Sequence, residues 1–250
     1  MKAPAILAAA ITVSLSSYLA NANAASEHQQ RELQLSAADI HVLVARTGAG
    51  SLEIQGVEGL SQILVKADIY SDDGAKIDFS LERQAGKAKL VADVKQAKGF
   101  SFGSHDSPYM DVTVQLPAAM ALDLDDGSGG IAIAGMSADI RVKDGSGALK
   151  IVGGNNLRID DGSGAIVISQ ITGDIEIEDG SGAIDISRVT GDIEIDDGSG
   201  NMDIRDIQGK VKIRDGSGNI EVSNTLGLTI LEAGSGKVSF DQIKGAVSRP

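Results

Sequence analysis

The chain has 250 residues, 42% of them apolar, enough for a core in one large or two modest domains. It contains no cysteine, so packing must hold it together without disulfides. A formal net charge of −13 makes nucleic acid a poor partner.

The first element is a segment to be removed. Lys2 precedes the apolar run Ala5 to Val13 and the small-residue site Ala22-Asn23-Ala24, the pattern of a secretory signal peptide cleaved after Ala24. The run is too short to span a bilayer, and no second hydrophobic segment follows it. The signal region offers no cysteine for lipidation, so the expected mature product is soluble and exported, either periplasmic or secreted to the cell surface. Loss of Lys2 from the 22 basic residues leaves 21 against 35 acidic ones, a net charge of −14.

Residues 25–116 form the expected N-terminal β segment. Gly50-Ser51-Leu52-Glu53-Ile54-Gln55-Gly56-Val57 reads as one short coil that begins early and is then interrupted. From Ile63 to Leu116 the alternation of apolar and polar residues runs longer, as in Ile77-Asp78-Phe79-Ser80-Leu81, with a turn near Ala85-Gly86-Lys87. These strands are expected to be antiparallel and to cap one end of a stack, because a bare coil end is an unpaired strand edge. Pro117 marks the return to regular coils.

Residues 117–250 are dominated by a repeat. Asp-Gly-Ser-Gly begins at Asp126, Asp144, Asp161, Asp179, Asp197 and Asp215, with Ala-Gly-Ser-Gly at Ala233, and the spacings are 18, 17, 18, 18, 18 and 18. A half-period of nine lies inside each unit, since glycines recur at 164, 173, 182, 191, 200, 209, 218, 227, 236 and 245. Two and four residues after most of these glycines come β-branched residues, such as Ile166 and Ile168, Ile175 and Ile177, or Ile184 and Ile186. That is a short strand with one buried face, bounded by turns. Ile171, Val189, Ile207 and Ile243 add an apolar residue to the longer turn and close one side of the core.

A two-strand unit of 18 residues cannot bury its apolar row alone, whereas stacking at ~4.8 Å places isoleucine over isoleucine. The predicted fold is therefore all-β, a parallel β-helix or β-roll solenoid of roughly seven two-strand coils. A hexapeptide left-handed helix is excluded because stepping six from Ile166 gives Thr172 and Glu178. The nonapeptide calcium rolls share the period of nine but place an aspartate two residues before the buried aliphatic, where this chain has Gly164 before Ile166. Near the end the phase slips: Leu228 and Ile230 occupy outward positions and Thr229 an inward one, which reads as a local register shift.

The glycine-punctuated coils, the leading Gly50-Ser51-Leu52-Glu53-Ile54 unit and the lead-in Val112-Thr113-Val114-Gln115-Leu116-Pro117 together resemble the bacterial β-strand-repeat family of candidate adhesins. The resemblance spans most of residues 32 to 250. It implies a cell-envelope or secreted interaction module with an envelope or surface partner, protein or glycan, and it supplies no catalytic residues.

The main candidate site is the carboxylate row Asp126, Asp144, Asp161, Asp179, Asp197 and Asp215, flanked by Asp125, Asp160, Glu178 and Asp196. Two readings stand. Stacked oxygens along a water-facing edge could bridge calcium, or each aspartate could cap its own turn by accepting backbone N–H bonds, with no cofactor. Like charges ~4.8 Å apart in water repel by only about 0.9 kcal/mol, so no metal is required, and Lys143 and Arg214 interrupt the flanking row. His28, His41 and His105 sit at no ligand or triad spacing. His105-Asp106 lies in a glycine-rich loop with Phe100, Phe102 and Tyr109, and the expected role of those aromatics is core cover. A carbohydrate-active β-helix needs long loops and an aromatic or basic cleft; the turns between Ile133 and Lys244 are short and the outward positions acidic, so no enzyme is expected.

Overall fold

The computed structural model describes residues 15–16, 27–71, 74–96 and 107–249. The signal peptide read from the sequence lies outside these, apart from the two-residue strand Leu15–Ser16, and so do Phe100, Phe102, His105 and Asp106. Among the described residues the chain is all strand and turn, and no helix is long and apolar enough to cross a membrane.

Isoleucines at period two make the strands, and their stacking makes the solenoid. In one sheet Ile166 pairs with Ile184 and Ile184 with Met202; in the other Ile175 pairs with Ile193 and Ile193 with Val211, all parallel and in register. The strands Ile166–Ile171 and Ile175–Asp179 are the two sides of one coil. The next coil, Ile184–Val189 and Ile193–Asp197, lies directly upon it. About seven such turns stack, and the isoleucine rows of the two sheets meet in a continuous core.

Glycine is required where successive coils touch. The amide of Gly182 donates to Ser199 O of the following coil at 2.9 Å, and a Cβ on Gly182 would lie 1.5 Å from the carbonyl oxygen of Gly164 on the preceding one. The opposite corner uses left-handed backbone at non-glycine residues. Gln170, Arg188, Asp206, Asn224 and Gln242 have φ between 53° and 62°, one per coil, and this turn of the chain directs Ile171, Val189 and Ile207 into the core.

The early coil and the cap fit together spatially. The strands Val42–Ala49 and Leu52–Val57 pair parallel with Ala121–Ser128 and Ile131–Ala134, so residues 58–120 are an insertion between adjacent coils. Within it Gln62–Ser71 runs antiparallel between Glu27–Ser36 and Tyr109–Pro117, and Lys76–Gln84 and Lys87–Lys95 form a hairpin beside Val42–Ala49. The strands that cover the first coil directly, Tyr109–Pro117 in one sheet and Lys87–Lys95 in the other, pair with it parallel, and the expected antiparallel pairing begins one strand further out.

At the far end Leu228 and Ile230 are buried, at 1% and 2% exposure, and pair with Val211 and Ile213. A bulge after Ile213 matches Arg214 to Glu232, which restores the phase by leaving Leu231 exposed. The slip is a local register shift.

Candidate functional site

The aspartate row occupies a different place from the one expected. In Ile175–Asp179 the burial alternates Ile175 in, Glu176 out, Ile177 in, Glu178 out, Asp179 in. The aspartate continues the inward phase of the isoleucines for one more step, so the row faces the inside of the corner instead of water. All six are buried, from 6% exposure at Asp179 to 0% at Asp215. Successive members pair in register, Asp126 with Asp144 and so on to Asp197 with Asp215. The result is one column running along the solenoid.

Four of the six carboxylates also engage their own turn. Oδ1 of Asp144, Asp179, Asp197 and Asp215 accepts the backbone N–H two residues on, from Ser146, Ser181, Ser199 and Ser217, at 3.0–3.1 Å. This satisfies half of the group. Oδ2 of every member is buried without a hydrogen-bond partner, and Asp161 has both oxygens so. At Asp161 the amides of Gly162 and Ser163 nevertheless lie close enough to pull its pKa down slightly against the larger effect of burial. Thr47 opens the column, opposite Asp126, and its hydroxyl donates to Asp126 Oδ1; Ala233 ends it opposite Asp215.

Burial without a counter-charge favours the neutral acid. Desolvation pushes Asp126, Asp161 and Asp197 up to about 6, with neighbouring column aspartates adding to it. Burial likewise raises Asp144, Asp179 and Asp215.

The flanking residues face outward on the same sheet. One outer row reads Asp123, Arg141, Arg158, Glu176, Glu194 and Lys212, and its neighbour reads Asp125, Lys143, Asp160, Glu178, Asp196 and Arg214. Lys143 pairs with Asp160 at 3.5 Å, Lys212 with Glu194 at 2.6 Å and Arg214 with Asp196 at 2.8 Å. These pairs are solvent-exposed, and each contributes at most about 1 kcal/mol. Asp160, Glu176, Glu178, Glu194 and Asp196 line a shallow open depression at the centre of this face, with basic residues on both sides along the rod.

A second polar ladder was missed from the sequence. Asp192 Oδ1 accepts the Lys210 N–H at 2.7 Å, Asp174 Oδ1 accepts that of Asp192 at 2.8 Å, and Asn156 Oδ1 accepts that of Asp174 at 3.0 Å. Each clamps one coil to the next. The available signal was an aspartate or asparagine immediately before the strand at 18-residue steps. His28 is another residue whose partners are far away in sequence: it stacks on Tyr70 and Tyr70 on Tyr109, both at 4.6 Å between ring centres, and its Nε2 lies 2.9 Å from Asp68. Only strand register brings these rings together. His41 is exposed on the turn before the first coil and joins neither group.

With this geometry in view, the chain can be set beside known proteins. No family model matches it, and no curated protein matches its sequence. Among solved structures, a candidate adhesin from Parabacteroides distasonis is 14% identical, with a TM-score of 0.50 over 88% of this chain and 96% of that one. The two share a fold. A candidate adhesin from Bacteroides fragilis is 13% identical, with a TM-score of 0.41 over 90% of this chain and 98% of that one. A candidate cell adhesion protein from Clostridium sporogenes is 14% identical, with a TM-score of 0.37 over 89% of this chain and 100% of that one. At such identities the Parabacteroides likeness is one of architecture.

Proposed function

We propose that this chain is an exported, non-enzymatic interaction module of the cell envelope or extracellular space, binding a surface partner, protein or glycan, in the manner of an adhesin. The observation that carries the reading is the outer charged face: two parallel rows of side chains at one strand spacing, held flat by short turns and centred on Asp160, Glu176, Glu178, Glu194 and Asp196. Such a face offers extended contact to a partner with matching basic groups and no enclosed place to hold a reacting bond. The leader peptide and the shared fold with a candidate adhesin support the same reading.

The test is solid-phase binding of the mature chain to panels of surface polysaccharides and matrix proteins, with product assayed in parallel. Saturable, salt-sensitive binding that is lost in the double variant Glu176→Lys/Glu194→Lys, with no product formed, is the expected result. Sustained turnover of any polysaccharide, or binding that ignores the charge reversal, would overturn it.

A further inference from the structure

The aspartate column is not explained by turn capping alone. Capping uses Oδ1, and an alanine-sized apolar residue would leave fewer orphans than a carboxylate whose Oδ2 is sealed from solvent in every coil. Six stacked buried oxygens without partners require something to satisfy them. We propose that the column is a proton-binding array, in which rungs that take up a proton in mildly acidic solution direct their O–H groups along the column toward the carboxylates of adjacent rungs.

Three observations lead there. The first is what surrounds the column. The next rungs above and below are carboxyls, and the adjoining turns are Gly-Ser-Gly. The facing sheet presents Leu149, Ile151, Ile166, Ile168, Ile184 and Ile186 inward. Apart from the column itself, no charged residue is buried among the described residues. Asp125, Lys143, Asp160, Glu178, Asp196 and Arg214 each precede a rung and point to the opposite side of their strands, where Lys143 and Arg214 pair with exposed acids. No cation therefore neutralises the column from within.

The second is the first rung. Thr47 occupies the column position one coil before Asp126 and donates its hydroxyl to Asp126 Oδ1. An O–H carried by one rung thus reaches the carboxylate of the next, and a neutral aspartic acid supplies the same kind of donor to the rungs beyond.

The third is size. The orphan oxygens have no surface open to a water molecule. Calcium takes six to eight oxygens at about 2.3–2.6 Å, while most rungs offer one free oxygen, and no group of three or more ligating side chains gathers at a point among the described residues. A proton needs neither space nor a shell. Burial drives Asp126, Asp161 and Asp197 in this direction, each pushed up to about 6. The protons come from solvent as coils form or breathe, and none is transferred to a substrate.

The inference does not rest on the adhesin reading, and its test needs no partner. The mature chain, labelled with ¹³C at aspartate carboxyl carbons, is titrated by NMR between about pH 3 and 8. Three column resonances with midpoints near 6 are expected, with Asp126 moving higher in Thr47→Val, which removes the hydroxyl that lowers it, while Asp197 stays in place. All six titrating in the ordinary carboxylate range, near about 4, would refute the array. Millimolar calcium chloride that abolishes the high midpoints and releases protons would overturn it in favour of a metal column. The wild-type titration decides the matter even if Thr47→Val does not fold.

Discussion

Replacing Gly182 by alanine isolates the contact on which stacking depends. The added Cβ would sit 1.5 Å from Gly164 O and 2.6 Å from its carbon, at a φ of +154° that side chains rarely adopt. Relief requires the two coils to part by well over 1 Å. At that displacement the corner bonds Gly164 N–H to Ser181 O and Gly180 N–H to Asp161 O, both 2.9 Å, no longer hold. Two lost bonds at about 1 kcal/mol each and backbone strain of about 1–3 kcal/mol give a loss on the order of 4 kcal/mol. That is a large part of the ~5–15 kcal/mol that holds a domain. Two controls separate the causes. Gly130 has open space and no positive φ, so Gly130→Ala should shift stability by no more than about 1 kcal/mol, toward greater stability through the unfolded chain. Gly59 has open space but a φ of +72°, so Gly59→Ala carries strain alone, about 1–2 kcal/mol. Urea unfolding followed by circular dichroism ranks the three, and an unfolding midpoint for Gly182→Ala equal to that of Gly130→Ala would refute the argument from coil contact.

Ile186 is fully buried between Ile168 and Ile204, so Ile186→Ala should cost about 2–5 kcal/mol in urea unfolding through the cavity it leaves. Asp192→Ala removes the acceptor of the Lys210 N–H on an exposed turn where water can substitute, and a loss near 1 kcal/mol is expected in the same assay; a loss above about 3 would mean that the ladder acts as one unit. Because Asp126, Asp161 and Asp197 have folded-state pKa values raised above 3.8 to about 6, their contribution is fully present below the lower value and is lost as pH rises through the upper one, so the melting temperature should fall from pH 4 toward 6 and level off beyond about 7. Asp161→Asn should flatten part of that slope and stabilise the protein at pH 8 by about 1–3 kcal/mol, and a steeper slope or a loss at pH 8 would contradict the sign.

The repeat made the solenoid legible because its two signals are local: isoleucine at period two and glycine at period nine mark strand and corner without knowledge of contacts. The aspartate column was visible as a row but was placed on the wrong side. Charge suggested water, whereas the inward phase of Ile175 and Ile177 extends to Asp179, and strand phase prevailed over side-chain polarity. The corner at Gln170, Arg188, Asp206, Asn224 and Gln242 gave no signal, since left-handed backbone is usually announced by glycine and here is carried by polar residues. The antiparallel cap was legible as longer alternation between Ile63 and Leu116. Its partners were not, because the pairing of Leu52 with Ile131 spans an insertion whose length no local pattern encodes. The stack of His28, Tyr70 and Tyr109 was hidden for the same reason.

This division between inner and outer rows separates what holds the fold from what faces solvent. In each strand the inward residues are fixed by the stack: a change at Ile177 meets Ile159 on one side and Ile195 on the other. The outward residues meet only one another and solvent, so Glu176 can become lysine at the cost of one exposed pair with Arg158, which keeps its contact with Glu178. Fold and outer charge pattern are therefore nearly independent, which is consistent with a shared architecture at 14% identity. Because like charges already stand one strand apart at Glu176 and Glu194, the face tolerates local repulsion without losing its shape. A partner that recognised this face would read the order of charges along the rod, and reversing Glu176 and Glu194, which removes the pairs with Arg158 and Lys212, should change what binds while lowering the unfolding free energy by no more than about 2 kcal/mol.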